Sequence, residues 1–194
     1  MTLKTRGRYS TAVVHHAHPH RPQVYTFGGS AGSSRKNDLW THKNDGWVLI
    51  EPLGGTAPTP RNSHSAVVWC DTIVIFGGWD GCRNCNDLYL FDIPTSQWRP
   101  VIPGGVPPKC RRGHSAVVAE QDMFVFGGWD GGRNFADFYK LSLGGAGEVQ
   151  HASQLPRGST TCSAQALCKH DMRCAHGFQE AFVVLCLPLR TQIH

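Results

Sequence analysis

The sequence predicts an all-β protein made of repeated four-stranded antiparallel sheets, and three observations carry that reading. The stretch FGGWDG stands at residues 76–81 and again at 126–131. Apolar runs of strand length, SAVVW at 65–69 and IVIF at 73–76, follow one another across the short turn DT at 71–72. The chain holds 22 Gly and 12 Pro in 194 residues, which suits many short strands and turns rather than a helical bundle.

The repeat extends well beyond one motif. RNSHSAVV at 61–68 answers RRGHSAVV at 111–118, and places His64 and His114 in the same position. A double glycine recurs as Gly28-Gly29, Gly77-Gly78 and Gly127-Gly128, in steps of 49 and 50 residues. Ten residues beyond each first glycine stands an acid, Asp38, Asp87 or Asp137, and Trp47 and Trp98 correspond in the first two units. Such a period marks a repeat architecture.

Each unit reads as four strands, here a to d. SAVVW and IVIF are nearly unbroken apolar runs, as in inner strands covered on both faces. DLYLFD at 87–92 is the third strand, and QWRPVI at 97–102 the fourth, reached through PTS at 94–96. Pro100 cannot donate to a ladder and so suits an outer edge. A phosphate-binding glycine loop would need a helix after FGGWDG, with amides aimed at the anion. The chain continues instead with RNCNDLYL or RNFADFYK, a polar loop and another strand, so FGGWDG is a turn used once per unit.

The order R-x-x-H-S-A-V-V, then F-G-G-x-D-G, then D-x-Y, then W resembles the kelch repeat, and its period agrees with that family's. The resemblance covers residues 7 to about 145 and implies a β-propeller of four-stranded blades. Units then run over about 7–56, 57–106 and 107–154, within a kelch region of 1–154. Residues 155–194 hold the start of a fourth unit, LPRGSTTCSA with Thr160 in the histidine position, followed by a divergent tail. Closed propellers have typically 4–8 blades, so the expected product is an incomplete ring with open sheet edges. Three readings stay open: a truncated or misread product, two copies pairing as a homodimer in one six-bladed ring, or a genuine divergent element. The abrupt change of composition favours truncation.

Net charge is +5 with 11 His besides, so acidic surfaces are the expected partners. No run of Lys and Arg resembles a nucleic-acid arm. The start MTLKTRGRYS has no apolar core of a secretory signal, and AFVVLCLPL at 181–189 is too short to span a bilayer. Eight irregularly spaced Cys read as reduced thiols. A cytoplasmic or nuclear protein without membrane or nucleic-acid contacts is expected.

In an up-and-down meander the b–c and d–a connections emerge at one end. The b–c loops carry Trp79, Arg83, Asn84, Trp129, Arg133 and Asn134; the d–a connections carry Arg61, Arg111 and Arg112. Trp and Arg often dominate interface energy, and Arg binds carboxylates in bidentate fashion. In proteins this chain resembles, the same face captures partner peptides, often acidic ones. An acidic protein segment is therefore the expected partner. The other reading of Arg61 and Arg111 is architectural, tying adjacent blades together with Asp87 and Asp137 as acceptors. His64, His114, Tyr89 and Tyr139 read as packing residues.

Three features imitate chemistry. Gly28-Gly29-Ser30-Ala31-Gly32 matches a nucleophile elbow, but Ser30 sits where Trp79 and Trp129 stand, with no helix after it. HHAHPH at 15–20 is an insertion in an a–b loop. Cys82-x-x-Cys85 is half of a zinc site, and the third unit has Gly132 and Phe135 there. No catalytic residue, metal ligand or cofactor is assigned. The leading expectation is a non-catalytic scaffold or adaptor. Against it stand a metal-dependent enzyme on a kelch propeller, of the copper-oxidase or iron-dependent specifier type, and a truncated product with no function of its own.

Overall fold

The computed structural model describes residues 10–14, 23–43, 46–144 and 148–151. The chain divides into two compact units, Met1–Leu155 and Pro156–His194. The second, with the fourth-unit start and the tail, lies outside the described residues, as does HHAHPH.

Among the described residues there is no helix, and three antiparallel meanders form an open array rather than a closed ring. The first joins β1 (Ser10–Val14), β2 (Gln23–Phe27), β5 (Leu39–Lys43) and β6 (Gly46–Ile50) in that order. Between β2 and β5 a small hairpin, β3 (Ser30–Ala31) and β4 (Ser34–Arg35), projects from the sheet. The second joins β8 (Ser65–Trp69), β9 (Thr72–Trp79), β10 (Asn84–Asp92) and β11 (Gln97–Val101). The third joins β13 (Ser115–Ala119), β14 (Asp122–Phe126), β15 (Phe138–Ser142) and β16 (Glu148–His151).

Two details depart from four plain strands. Short strands β7 (Gly54–Gly55) and β12 (Gly104–Gly105) add in parallel to the outer edges, β7 on β11 and β12 on β16. The second residue of β7 has to be glycine: Gly55 has φ +82°, and a Cβ on it would lie 1.7 Å from the Trp98 carbonyl oxygen. Part of each edge is thereby covered. In the first sheet, Ser10 opposes Phe27 as Ser65 opposes Phe76 and Ser115 opposes Phe126. Thr11, not Ala12, is therefore level with Ala66. Strand pairing decides register here, where aligning TAVV at 11–14 with SAVV at 65–68 by residue type would put Ala12 level with Ala66, one residue off.

The core lies between sheets. Ile73 and Ile75 of β9 face the first sheet, packing with Tyr25, Phe27 and Leu39, while Val74 and Phe76 face the third, with Met123, Val125, Tyr139 and Leu141. A strand buried on both faces needs apolar residues at every position, which is why IVIF does not alternate. Each such side chain contributes about 1.5–3 kcal/mol of transfer free energy. Trp98 spans the first junction, its ring 5.2 Å from Phe27 and 4.9 Å from Phe91. At that register the third sheet has Val149, opposite Leu141.

Candidate functional site

The double glycines hold neighbouring sheets together. Gly77 and Gly78 have φ +62° and +99°, values that favour glycine. A Cβ on Gly78 would lie 2.7 Å from His64 Cβ, and one on Gly77 would lie 2.9 Å from His114 Cε1. Into this cradle comes the d–a connection of the next sheet: the Gly78 amide donates to the Arg111 carbonyl at 2.9 Å, and the Arg111 amide to the Cys85 carbonyl at 2.9 Å.

The Arg111 side chain then turns into its own sheet. It is fully buried and donates to both oxygens of Asp137, at 2.6 and 2.9 Å, and to the Gly127 carbonyl at 2.8 Å. Arg61 repeats this with Asp87, at 2.6 and 2.9 Å, and with the Gly77 carbonyl. Burial works against the Arg61 charge, but the Asp87 carboxylate outweighs it and raises the guanidinium pKa. Tyr89 lies under Arg61 and Tyr139 under Arg111, at 5.5 and 5.3 Å. The expectation that Arg61 and Arg111 face a partner is corrected: both are enclosed, and their donors are taken by the acids of their own sheets.

His64 and His114 are likewise buried, edge-on to Phe27 and Phe76 at 5.4 and 5.2 Å. Burial pushes the His64 imidazole down to about 3, helped by the positive Arg61 and by His114, while a backbone hydrogen bond to Phe27 opposes. His114 falls to about 4, through burial and then Arg111. Its Nε2 is 2.9 Å from Ser65 Oγ.

The outer face is built from the next residue along. The Arg112 guanidinium lies between two indoles, 4.6 Å from the Trp79 ring and 4.3 Å from the Trp129 ring. The backbone fixes this stack, because Arg112 and Trp129 exchange amide–carbonyl bonds at 3.0 and 2.9 Å. Among the described residues no carboxylate pairs with Arg112. Arg83 and Arg133 project from the adjoining loops with side chains 83% and 59% exposed. Each loop is tied by an aspartate: Asp80 Oδ1 accepts the amides of Cys82 and Arg83, and Asp130 Oδ1 those of Gly132 and Arg133. Those amides hold the Asp130 carboxyl below its usual range.

Asn134 is exposed beside this stack, but Asn84 is not. Asn84 is buried, and its Nδ2 donates to the Asp130 carbonyl at 2.6 Å, joining two loops. Its place on the partner face is also corrected. Sequence reasoning missed Arg35, which occupies the position of Asn84 in the first unit and whose guanidinium lies against Gly81. Alignment to Asn84 and Asn134 would have found it.

Two of the features that imitate chemistry fall among the described residues. Ser30 lies in the β3–β4 hairpin, and its Oγ accepts from Asn62 Nδ2 at 2.5 Å. Cys85 is buried, which raises its thiol to about 11, while Cys82 is exposed. Among the described residues no group of three or more His, Cys, Asp or Glu could hold a metal ion, and no helix is long and apolar enough to cross a membrane. Stacked Arg and Trp beside exposed Arg are residue types that often carry interface energy.

Comparison with known proteins agrees with the repeated sheets. Host cell factor 1 of Homo sapiens is 38% identical over a stretch covering 42% of this chain and 5% of that protein. The leucine-zipper-like transcriptional regulator 1 homolog of Drosophila melanogaster is 36% identical over 45% of this chain and 9% of its own length. N-(sulfonatooxy)prop-2-enimidothioate sulfolyase of Thlaspi arvense is 43% identical over 27% of this chain and 16% of the enzyme. The aligned stretches thus span a small part of these relatives. The family model for the KLHDC2/KLHL20/DRC7 Kelch-repeats domain matches residues 10–184. The chain belongs to this Kelch-repeat family, a membership that supports a protein-interaction scaffold in general terms.

Proposed function

We propose that this chain is a non-catalytic binding module, of scaffold or adaptor type, that captures an acidic protein segment on the face carrying Trp79, Arg83, Arg112, Trp129, Arg133 and Asn134. The observation that carries the reading is the Arg112 guanidinium held between Trp79 and Trp129 with no carboxylate paired to it among the described residues. Stacking restrains the planar fork, so little rotamer entropy is left to lose when a carboxylate docks. The aspartates of the same loops do not cancel the attraction. Asp80 and Asp130 each spend one oxygen on loop amides, and their other oxygens lie 3.6 and 3.4 Å from the Nε edges of Arg83 and Arg133. The outer edges of those two guanidinium groups face solvent.

An enzymatic role has the sulfolyase match in its favour, but that match covers 27% of the chain. Fluorescence anisotropy with a labelled Glu- and Asp-rich peptide tests the binding reading. Binding should exceed that of the same peptide with Gln and Asn, and should weaken about tenfold or more, about 1.4 kcal/mol, when Arg83 and Arg133 become Ala together. Equal binding of the acidic and amide peptides would overturn it.

A further inference from the structure

The cradle formed by a double glycine occurs three times, and two of the three show what it receives. At the first, the Gly29 amide donates to the Arg61 carbonyl at 2.9 Å and the Arg61 amide to the Lys36 carbonyl at 3.0 Å. At the second, Gly78, Arg111 and Cys85 repeat both bonds. Three residues after each arginine, a histidine ring lies edge-on against the phenylalanine that precedes the glycines, leaving Phe27 1% and Phe76 4% exposed.

The third cradle has the same shape. Gly127 and Gly128 have φ +65° and +98°, and the Phe135 amide donates to the Gly128 carbonyl at 2.8 Å, as Lys36 does to Gly29. Yet among the described residues nothing bonds the Gly128 amide or the Phe135 carbonyl. Phe126 is 53% exposed and Val117 57%. A hollow of about 450 Å³ lies there, lined by Ser115, Phe126, Gly128, Trp129 and Phe135 among others.

The two filled cradles specify a segment of the form R-x-x-aromatic-S in extended conformation. Residues 6–10, Arg6-Gly7-Arg8-Tyr9-Ser10, have that form. The pairing of Ser10 with Phe27 puts them in ungapped register with Arg61 to Ser65 and Arg111 to Ser115. We infer that the third cradle receives residues 6–10 of a second copy of this chain, so that two chains join head to tail through two identical contacts. The Gly128 amide would donate to the Arg6 carbonyl, the Arg6 amide to the Phe135 carbonyl, and the Tyr9 ring would cover Phe126. The three described sheets of each copy would then number six, within the range of closed propellers. This inference does not rest on the peptide-binding reading, since it uses main-chain groups and Phe126 rather than the exposed arginines, although Arg112 and Trp129 border both sites.

Sedimentation equilibrium of the whole chain over a wide concentration range is the test. The expected mass is twice 21.3 kDa. Phe126→Glu, a change at an exposed position, should shift the mass to a monomer, and so should Tyr9→Ala. Mixing the two variants should restore a dimer fraction, because that pair keeps one intact contact. A wild-type chain that stays monomeric throughout would overturn the inference, as would a dimer whose mass neither variant changes.

Discussion

Arg111 and Arg112 are adjacent in the chain, yet the first is fully buried while the second lies between two tryptophans at the rim. Both belong to one extended connection, in which successive side chains point to opposite sides. The inward position is the same in both junctions, Arg61 and Arg111, each on an aspartate 26 residues downstream. The outward position differs: Asn62 reaches Ser30 at the first junction, and Arg112 enters a Trp–Arg–Trp stack at the second. Within one chain, the invariant position serves architecture, and the variable one is where we propose recognition.

The sharpest way to break this contrast is to remove each arginine in turn. Arg111→Ala removes the bidentate guanidinium from the partly buried Asp137 carboxylate and should cost about 3–5 kcal/mol. Arg111→Lys should recover less than half of that, because one ammonium cannot span two carboxylate oxygens and a carbonyl. Urea unfolding reads both, and Arg112→Ala should leave the midpoint nearly unchanged. Equal loss from the two alanines would erase the distinction between inner and outer positions.

Acid sharpens the same contrast through the histidines beside the buried arginines. Their folded-state values, about 3 for His64 and about 4 for His114, lie below the ordinary value of about 6.5 in an unfolded chain. The unfolded chain therefore binds protons first as pH falls. Stability is fully present above about pH 6.5 and is lost progressively toward pH 4, by about 2 kcal/mol per histidine at pH 5. Urea midpoints measured between pH 7 and 5 should fall accordingly, and His114→Gln should remove part of that slope. A midpoint independent of pH over this interval would contradict the buried, neutral assignment.

Glycines make a smaller test. Gly78→Ala places a methyl on a strained backbone against His64 and Asn62 and should cost about 1–3 kcal/mol. Gly132, in the outer loop, meets nothing nearer than Asp130 Oδ1 at 3.7 Å, so Gly132→Ala should shift the thermal midpoint little.

The fold was legible because its signals repeat: the double glycines, the R-x-x-H motif and the acids recur in phase, and the four strands per sheet formed near those landmarks, although in the second sheet β9 runs on through Gly77-Gly78-Trp79 and β10 begins at Asn84, within what reads as turn and loop. The direction of Arg61 and Arg111 was not legible. Local sequence does not say which way an irregular connection turns its side chains, and their acceptors are distant in sequence. Both readings of these arginines were open until the pleat was seen. A second double glycine, Gly54-Gly55 and Gly104-Gly105, also recurs at a step of 50 and was a readable signal of the parallel edge strands. The stack was half legible: Trp79, Trp129 and Arg112 were all singled out, but nothing in their spacing shows that the arginine lies between the rings.

The most direct test of the account is calorimetric titration of a Glu- and Asp-rich peptide into the wild-type chain and into Arg112→Ala, with folding of both confirmed by urea midpoint. The account predicts that Arg112→Ala keeps its stability and loses about tenfold or more in affinity, about 1.4 kcal/mol. Unchanged affinity in the folded variant would contradict it, and the outer arginine would then be one more structural residue.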